Sequence, residues 1–385
     1  MIIKSPGISF KNIDISPFKD KISSQLQLFL SFFNGKTIGI TGTKGKSTTS
    51  SLLYRIIKEQ NHNVTLLGNI GTPIFDSLDI LKDDTFVVLE ISSHQLEYMR
   101  KSPNIAVLLN VFEEHLDHYH SFIDYSNAKY NIFKFQNDND FSIYNMDNII
   151  IQNLLKEEKI HSKQIGITFE NKENNNSIFI KDNFIVYKEN NFEYKLYDVN
   201  SDRKLLGNHN LFNIMACLSI CKILNLDIAK ATLAINNFET LPHRMEFVGE
   251  YNGIKYYNDS IATIPEATIS CVESLKDVHT LIIGGMDRKI DYSNFIKFIL
   301  ESKIENIICM PDVGTFIGNE ILKIQKEKNY FKKIYIAQTM EEVVDISKKV
   351  TKQNNICLLS PAASSYGFFK NFKERGEKFK DLLKQ

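Results

Sequence analysis

Three features of the sequence predict an α/β protein: a central phosphate-loop α/β domain followed by a C-terminal Rossmann-like, doubly wound domain. First, the β-prone run Thr37–Thr41 leads into the loop Gly42-Thr43-Lys44-Gly45-Lys46, and Ser47–Gln60 then carries Leu52, Leu53, Ile56 and Ile57 at helical spacing. Strand, glycine loop and helix is the layout of a phosphate-binding unit. Second, beyond Leu241-Pro242 the short apolar runs Ile254–Tyr257, Thr280–Ile283, Asn306–Cys309, Lys333–Ile336 and Ile356–Leu359 alternate with helical stretches, the pattern of a doubly wound sheet. Third, Thr85–Leu89 and Ile105–Val111 are apolar, partly β-branched and each followed by polar residues, as buried parallel strands are.

The remaining segments fill in around these. Residues 169–200 alternate aromatic and polar residues between Asn-rich turns, which predicts an antiparallel excursion of short strands. Leu211–Leu224 is helical in spacing. Residues 1–35 are too few for a core of their own, so the expected division is 1–35 as a connector, 36–240 as the central domain and 241–385 as the C-terminal domain.

Composition excludes several classes of function. The 385 residues are 43 % hydrophobic and 24 % charged, ordinary values for a globular chain. Lys+Arg and Asp+Glu both number 46, so no basic excess points to nucleic acid or an anionic membrane. The N-terminus lacks a basic stretch followed by an apolar run, and no apolar run approaches the ~18 residues of a membrane span. A cytoplasmic location is expected. The five cysteines, Cys217, Cys221, Cys271, Cys309 and Cys357, include no Cys-x-x-Cys pair and read as small buried hydrophobes in a reducing compartment.

Three motifs carry chemistry. In Thr41-Gly42-Thr43-Lys44-Gly45-Lys46-Ser47-Thr48 the glycines let backbone N–H groups approach phosphate oxygens at a helix N-terminus, Lys46 reaches the β/γ-phosphates, and the Ser47 hydroxyl is a Mg²⁺ ligand. A strict Walker pattern wants glycine where this chain has Ile40, and a polar helix-capping loop is the bland alternative. Glu90, opening Glu90-Ile91-Ser92-Ser93-His94-Gln95, stands at the carboxyl end of a predicted strand, where such sheets bind ligands; it suits Mg²⁺, or equally an acid at a helix start beside capping serines. Glu113-Glu114-His115-Leu116-Asp117-His118-Tyr119-His120 offers either a Mg²⁺ ligand at a strand end or a zinc site, although no His-Glu-x-x-His motif is present. Lys129, in Ser126-Asn127-Ala128-Lys129-Tyr130, has no chemical reason of its own to be more than an exposed helix lysine.

Taken in order, these segments resemble the Mur ligase family over residues 36–385, and within it the branch that adds D-glutamate. The resemblance also runs through Gly68-Asn69-Ile70-Gly71, Leu109-Asn110-Val111, Gly207-Asn208-His209-Asn210-Leu211-Phe212-Asn213, His243-Arg244-Met245-Glu246 and Asn258-Asp259-Ser260. Its most specific part is Ser360-Pro361-Ala362-Ala363-Ser364-Ser365 through Asn371-Phe372-Lys373-Glu374-Arg375-Gly376.

The resemblance implies an ATP-dependent amide ligase of peptidoglycan precursor synthesis, acting on UDP-N-acetylmuramoyl-L-alanine and D-glutamate through an acyl phosphate. It implies ATP on Gly42, Thr43, Lys44, Gly45, Lys46, Ser47 and Thr48, with Asn210, Asn213, Arg244 and Asp259 also meeting the nucleotide. It implies Mg²⁺, at two sites, on Ser47, Glu90, His115 and a carbamylated Lys129, so that Lys46, His115 and Lys129 are catalytic. Asn69, Ser92, Thr263, Arg288, Ser365 and Phe372 would hold the substrates. It further implies small-molecule partners only, and a monomer. Elementary chemistry agrees: a carboxylate must be phosphorylated before an amine displaces it, phosphoryl transfer needs cations on the oxygens, and a cation such as Arg288 suits an incoming carboxylate. Nucleotide and amine sites on different domains predict closure before chemistry.

Departures from the family's pattern leave alternatives open. The N-terminal uridine-gripping domain is almost wholly absent, with Ser5-Pro6-Gly7-Ile8 resembling its last turn, so either Met1 is not the true start or the substrate is held differently. Glu113-Glu114 precedes His115 where Asp is usual, Arg288 replaces Lys, and Ile261 replaces Lys. A related ligase for a carboxylate lacking the uridine nucleotide, and a non-catalytic nucleotide-binding partner, are the competing readings.

Overall fold

The computed structural model describes residues 1–5, 8–69, 74–114, 118–170, 176–275, 277–327 and 330–385. The chain forms two compact units, residues 1–205 with 209–238, and residues 206–208 with 239–385.

The first unit opens with a small parallel pair, β1 (Ile2–Ile3) and β2 (Ile22–Ser23). A helix, Gln25–Phe32, follows, capped by Ser24, whose hydroxyl accepts from Gln27 N. Its Leu26, Phe29 and Leu30 join the same apolar cluster as Leu67, Val87 and Leu89. The helix Gln25–Phe32 is thus packed into this unit's core.

The main sheet contains β3 (Thr37–Thr41), β4 (Val64–Gly68), β5 (Phe86–Glu90), β6 (Ile105–Leu108), β7 (Phe141–Asn145), β8 (Lys163–Ile167), β9 (Asn176–Lys181), β10 (Phe184–Glu189) and β11 (Phe192–Asp198). Their order is β11-β10-β9-β8-β7-β6-β3-β5-β4. Pairing is parallel from β4 through to β9 and antiparallel from β9 to β11, matching the predicted excursion. Leu52, Leu53, Ile56 and Ile57 of the helix Lys46–Lys58 are fully buried beneath the sheet. That apolar face, one side of a helix, is what the spacing had predicted.

Several boundaries differ from expectation, among them these. The run read as Ile105–Val111 is strand only to Leu108, because the chain then bends to serve the glycine loop: Leu109 N donates to Thr41 O and Thr43 N to Asn110 O. The helix read from Ser47 begins at Lys46, and the strand read as Thr85–Leu89 lies one residue later. Strands β4, β7 and β8 lie outside the predicted runs, since each mixes polar residues or glycine into a short stretch.

The second unit holds β12 (Glu246–Tyr251), β13 (Ile254–Asn258), β14 (Val278–Gly285), β15 (Asn306–Asp312), β16 (Lys333–Ile336) and β17 (Ile356–Leu359), in the order β12-β13-β17-β14-β15-β16. Only β12, a partly exposed edge strand, runs antiparallel. The chain progresses from β14 outward to β16 and then returns to β17 on the other side of β14. That reversal opens a crevice at the carboxyl ends of β14 and β17, where doubly wound sheets bind ligands. All residues of β14 are buried, as expected of a central parallel strand.

Candidate active site

In the glycine loop of the first unit a left-handed glycine opens the helix and two lysines gather on the loop carbonyls. Gly45 caps the helix Lys46–Lys58 with φ +86°, a left-handed value that favours glycine. A Cβ there would lie 2.6 Å from Asn213 Oδ1. Asn213 is buried and donates to Asn210 Oδ1 at 3.0 Å, so the two asparagines predicted to meet the nucleotide sit together against the loop. Thr43 and Lys44 are held from the other side: Lys44 N donates to Asn110 Oδ1 at 2.8 Å, and Asn110 Nδ2 to Lys44 O at 3.1 Å.

Two lysines converge on one carbonyl. Lys46 Nζ donates to Gly42 O at 2.9 Å and to Thr43 O at 3.0 Å, while Lys129 Nζ donates to the same Gly42 O at 2.9 Å. Lys129 is 2 % exposed and lies 4.8 Å from the Tyr125 ring centroid. It is therefore the opposite of the exposed helix lysine that spacing alone allowed. Burial, and then the neighbouring Lys46 ammonium, hold its pKa well below the usual lysine range, against an opposing pull from Glu114. Tyr125 fixes the geometry by sharing a 2.9 Å hydrogen bond with Thr43 Oγ1, and Lys44 pairs with Glu114 Oε1 at 2.9 Å. Thr48 is buried and Ser47 half-buried in the first helical turn.

Glu90 ends β5, aligned with Ile40 on one side and Gly68 on the other. Gly68, at φ +107°, passes so close that a Cβ would sit 2.4 Å from Glu90 O. Asn69 Nδ2 donates to Glu90 Oε1 at 3.0 Å; Oε2 is buried with no hydrogen-bond partner among the described residues. Ser92 caps the short helix Ser93–Leu96 through a capping box with Gln95. The predicted metal ligand His115, with Leu116 and Asp117, lies outside the described residues, as do Ile70 and Gly71 of the glycine turn and Pro6 and Gly7 near the N-terminus. Among the described residues no group of three or more His, Cys, Asp or Glu is arranged to hold a metal. His118 instead meets Glu97 at 3.1 Å, which also pairs with the buried Lys4 at 3.0 Å, and its ring lies 4.1 Å from that of His94.

In the second unit Asp259 is fully buried; it accepts from Ser360 Oγ at 2.8 Å and Met245 N at 3.2 Å, and burial raises its pKa to about 6 against those bonds and the charge of Arg244. Thr263 and Phe372 are half-buried, Ser365 is buried and Arg288 is exposed. A cavity of about 170 Å³ beside Gly284 and Gly285 is lined by Ser365, Met310, Lys378 and Arg375. Asn110 and Arg375 stand inside motif segments and Tyr125 next to one, but the motifs assign no role to any of the three.

The five cysteines are free and buried, and burial lifts the Cys221 thiol to about 12. No helix among the described residues is long and apolar enough to cross a membrane.

Comparison with known proteins bears on this arrangement. Residues 40–221 match the Mur ligase middle domain, and residues 243–363 match the Mur ligase glutamate ligase domain. The chain is 34 % identical over 363 residues to the UDP-N-acetylmuramoylalanine–D-glutamate ligase of Clostridium tetani, covering 94 % of this chain and 77 % of that protein. It is 33 % identical over 400 residues to the protein of the same name from Citrifermentans bemidjiense, covering 100 % and 83 %. Its fold is similar to that of the MurF ligase of Thermotoga maritima, solved in complex with ADP, at a TM-score of 0.65 and 18 % identity over 93 % of this chain and 82 % of that one. With both domains matched and relatives above 30 % identity along nearly its whole length, the chain belongs to the Mur ligase family.

Proposed function

We propose that this chain is the ATP-dependent ligase that adds D-glutamate to UDP-N-acetylmuramoyl-L-alanine, through an acyl phosphate, in peptidoglycan precursor synthesis. The observation that carries the proposal is the convergence of Lys46 and Lys129 on the single carbonyl of Gly42, in a loop whose Gly45 is left-handed and closely contacted by Asn213. The names of the relatives supply the substrates.

Each group then has a task. Lys46 leaves the loop carbonyls for the β/γ-phosphates, and Gly42, Thr43, Lys44, Gly45, Ser47 and Thr48 present the loop to the triphosphate. Asn210, Asn213, Arg244 and Asp259 are assigned to the nucleotide. The buried Glu90 Oε2 lacks a hydrogen-bond partner among the described residues, which suits a divalent cation. Ser47, Glu90, His115 and a carbamate on Lys129 would hold Mg²⁺, at two sites. The metal's contribution is to neutralise charge on the phosphoryl oxygens.

Lys129 is suited to carbamylation because burial and the neighbouring Lys46 ammonium lower its pKa and so favour the neutral amine. The neutral nitrogen adds to CO₂, forms the N–C bond and releases a proton, turning a buried amine into a carboxylate. Thr263, Arg288, Ser365 and Phe372 hold D-glutamate, with the Arg288 fork on a carboxylate, and Asn69 and Ser92 serve the muramoyl substrate. The chain works as a cytoplasmic monomer on small molecules.

The test combines purified protein, ATP, Mg²⁺, UDP-N-acetylmuramoyl-L-alanine and D-glutamate. Release of phosphate together with the new amide is expected. Phosphate release no higher than that of a Lys46→Ala variant would refute the proposal.

A further inference from the structure

Arg375 is the bulkiest fully buried side chain among the described residues. Its Nε donates to Ser260 Oγ at 3.0 Å and its Nη2 to Ser260 O at 2.8 Å. Nη1 and Nη2 both donate to Ala363 O at 3.2 Å, and Nη1 also reaches Gly284 O at 3.4 Å. Every one of these acceptors is neutral, and no carboxylate among the described residues pairs with the guanidinium. A buried arginine without an ion partner is costly, and its burial shows as a pKa lowered to about 9, with only the charge of Asp259 opposing.

The acceptors belong to three strand ends. Ser260 follows β13 and precedes Thr263; Gly284 is in the last turn of β14 before Arg288; Ala363 follows β17 and precedes Ser365. Ser260 Oγ in turn donates to Phe372 O at 2.8 Å. Four chain segments, carrying all four residues assigned to the amine substrate, therefore meet at one buried node. The packing there is tight: a Cβ on Gly285 would lie 2.2 Å from Ser364 O and 3.1 Å from Arg375 Nη1. The same guanidinium walls the cavity that Ser365 and Lys378 share.

We infer that Arg375 is the positioning residue of the amine site: its planar fork sets the spacing of the loops bearing Thr263, Arg288, Ser365 and Phe372, and its uncompensated charge favours a dicarboxylate amino acid. This rests on the proposed function. A lysine ammonium, with its donors on one tetrahedral atom, cannot span the carbonyls of three strand ends, so charge and clamp can be separated.

The experiment compares KM for D-glutamate and for ATP, and the ratio of D-glutamate to D-aspartate use, in wild type, Arg375→Lys, Arg375→Met and Ser260→Ala. Arg375→Lys is expected to raise the D-glutamate KM about 10-fold with the ATP KM within about twofold, and to blunt the preference over D-aspartate; Arg375→Met does more. If both Arg375 variants fail to fold, Ser260→Ala decides: it leaves the carbonyl bonds and removes the Nε acceptor and the Phe372 tether, so the D-glutamate KM rises several-fold alone. A wild-type D-glutamate KM in Arg375→Lys, equal rises in both KM values, or a lower thermal midpoint with no change in KM overturns the role of Arg375. Wild-type protein that uses another amine but not D-glutamate overturns the proposed function, and with it the selection of a dicarboxylate.

Discussion

Replacing Gly45 with alanine tests the phosphate loop at its tightest point. The residue sits at φ +86°, ψ −12°, and an added Cβ would lie 2.6 Å from Asn213 Oδ1 and 3.2 Å from Leu109 Cδ1. The left-handed backbone costs an L residue about 1–2 kcal/mol. Relieving the contact means turning the Asn213 carboxamide, which is buried and bonded to Asn210 Oδ1; losing such a bond costs about 1–3 kcal/mol. Together these come to about 2–5 kcal/mol if the loop keeps its shape. If the loop yields instead, its amides move off the phosphates, and every 1.4 kcal/mol lost is about a tenfold weaker complex. Gly367 is the control: it has φ +90° but nothing within 4 Å of a built Cβ, so Gly367→Ala meets the backbone cost alone. Calorimetric titration with Mg²⁺-ATP and thermal midpoints on all three proteins separate the effects. Gly45→Ala should bind ATP at least about 10-fold more weakly or melt well below Gly367→Ala, which should bind ATP as wild type does. Identical behaviour of the two variants would show that the contact with Asn213 is not tight and the reasoning is wrong.

Further outcomes follow from the same geometry. Lys129→Ala should lower turnover by at least about 100-fold, with no recovery in excess bicarbonate; full activity would remove Lys129 from the mechanism. Tyr125→Phe loses the 2.9 Å bond to Thr43 Oγ1 and should cost about 1 kcal/mol in denaturant unfolding, whereas no loss would mean the hydroxyl carries nothing. Asp259 has a folded pKa raised to about 6 from 3.8, so its contribution favours folding most below pH 3.8 and is lost as pH rises through 6. Asp259→Asn should therefore gain on wild type by on the order of 2–3 kcal/mol between pH 4 and pH 7, measured as the difference in unfolding free energy; a pH-independent difference contradicts the raised pKa. Chelation of divalent metal should abolish turnover and added Mg²⁺ restore it, which steady-state phosphate release would detect.

Much of the fold was legible because parallel sheets have a strong local signature. Strand β14 and its neighbours β15 and β17 carry the apolar runs Leu281–Ile283, Ile307–Met310 and Ile356–Leu359, so burial on both faces is written directly into those runs. The helix Lys46–Lys58 announced its inward face through Leu52, Leu53, Ile56 and Ile57. The edge strand β12 was not legible, because a strand exposed on one side and at one edge carries glutamates and glycine that read as loop. Strand β8 begins with exposed Lys163 and Gln164, which also read as loop.

The residue types of the site were present in the order of the motifs, and so were the glycines that a phosphate loop requires. Local sequence sufficed for these because a turn, a cap or a strand end involves residues a few positions apart. What Lys129 is could not be read that way. It is a buried amine only because the helix Phe122–Lys134 lays it against Gly42, 87 residues earlier in the chain. Arg375 likewise resembled any charged residue of an amphipathic C-terminal helix until the sheet brought Ser260, Gly284 and Ala363 around it, from up to 115 residues away. Local sequence fixes which groups are available and which backbone shapes are allowed; burial and the neighbours of a charge depend on distant segments, and only the tertiary structure sets them.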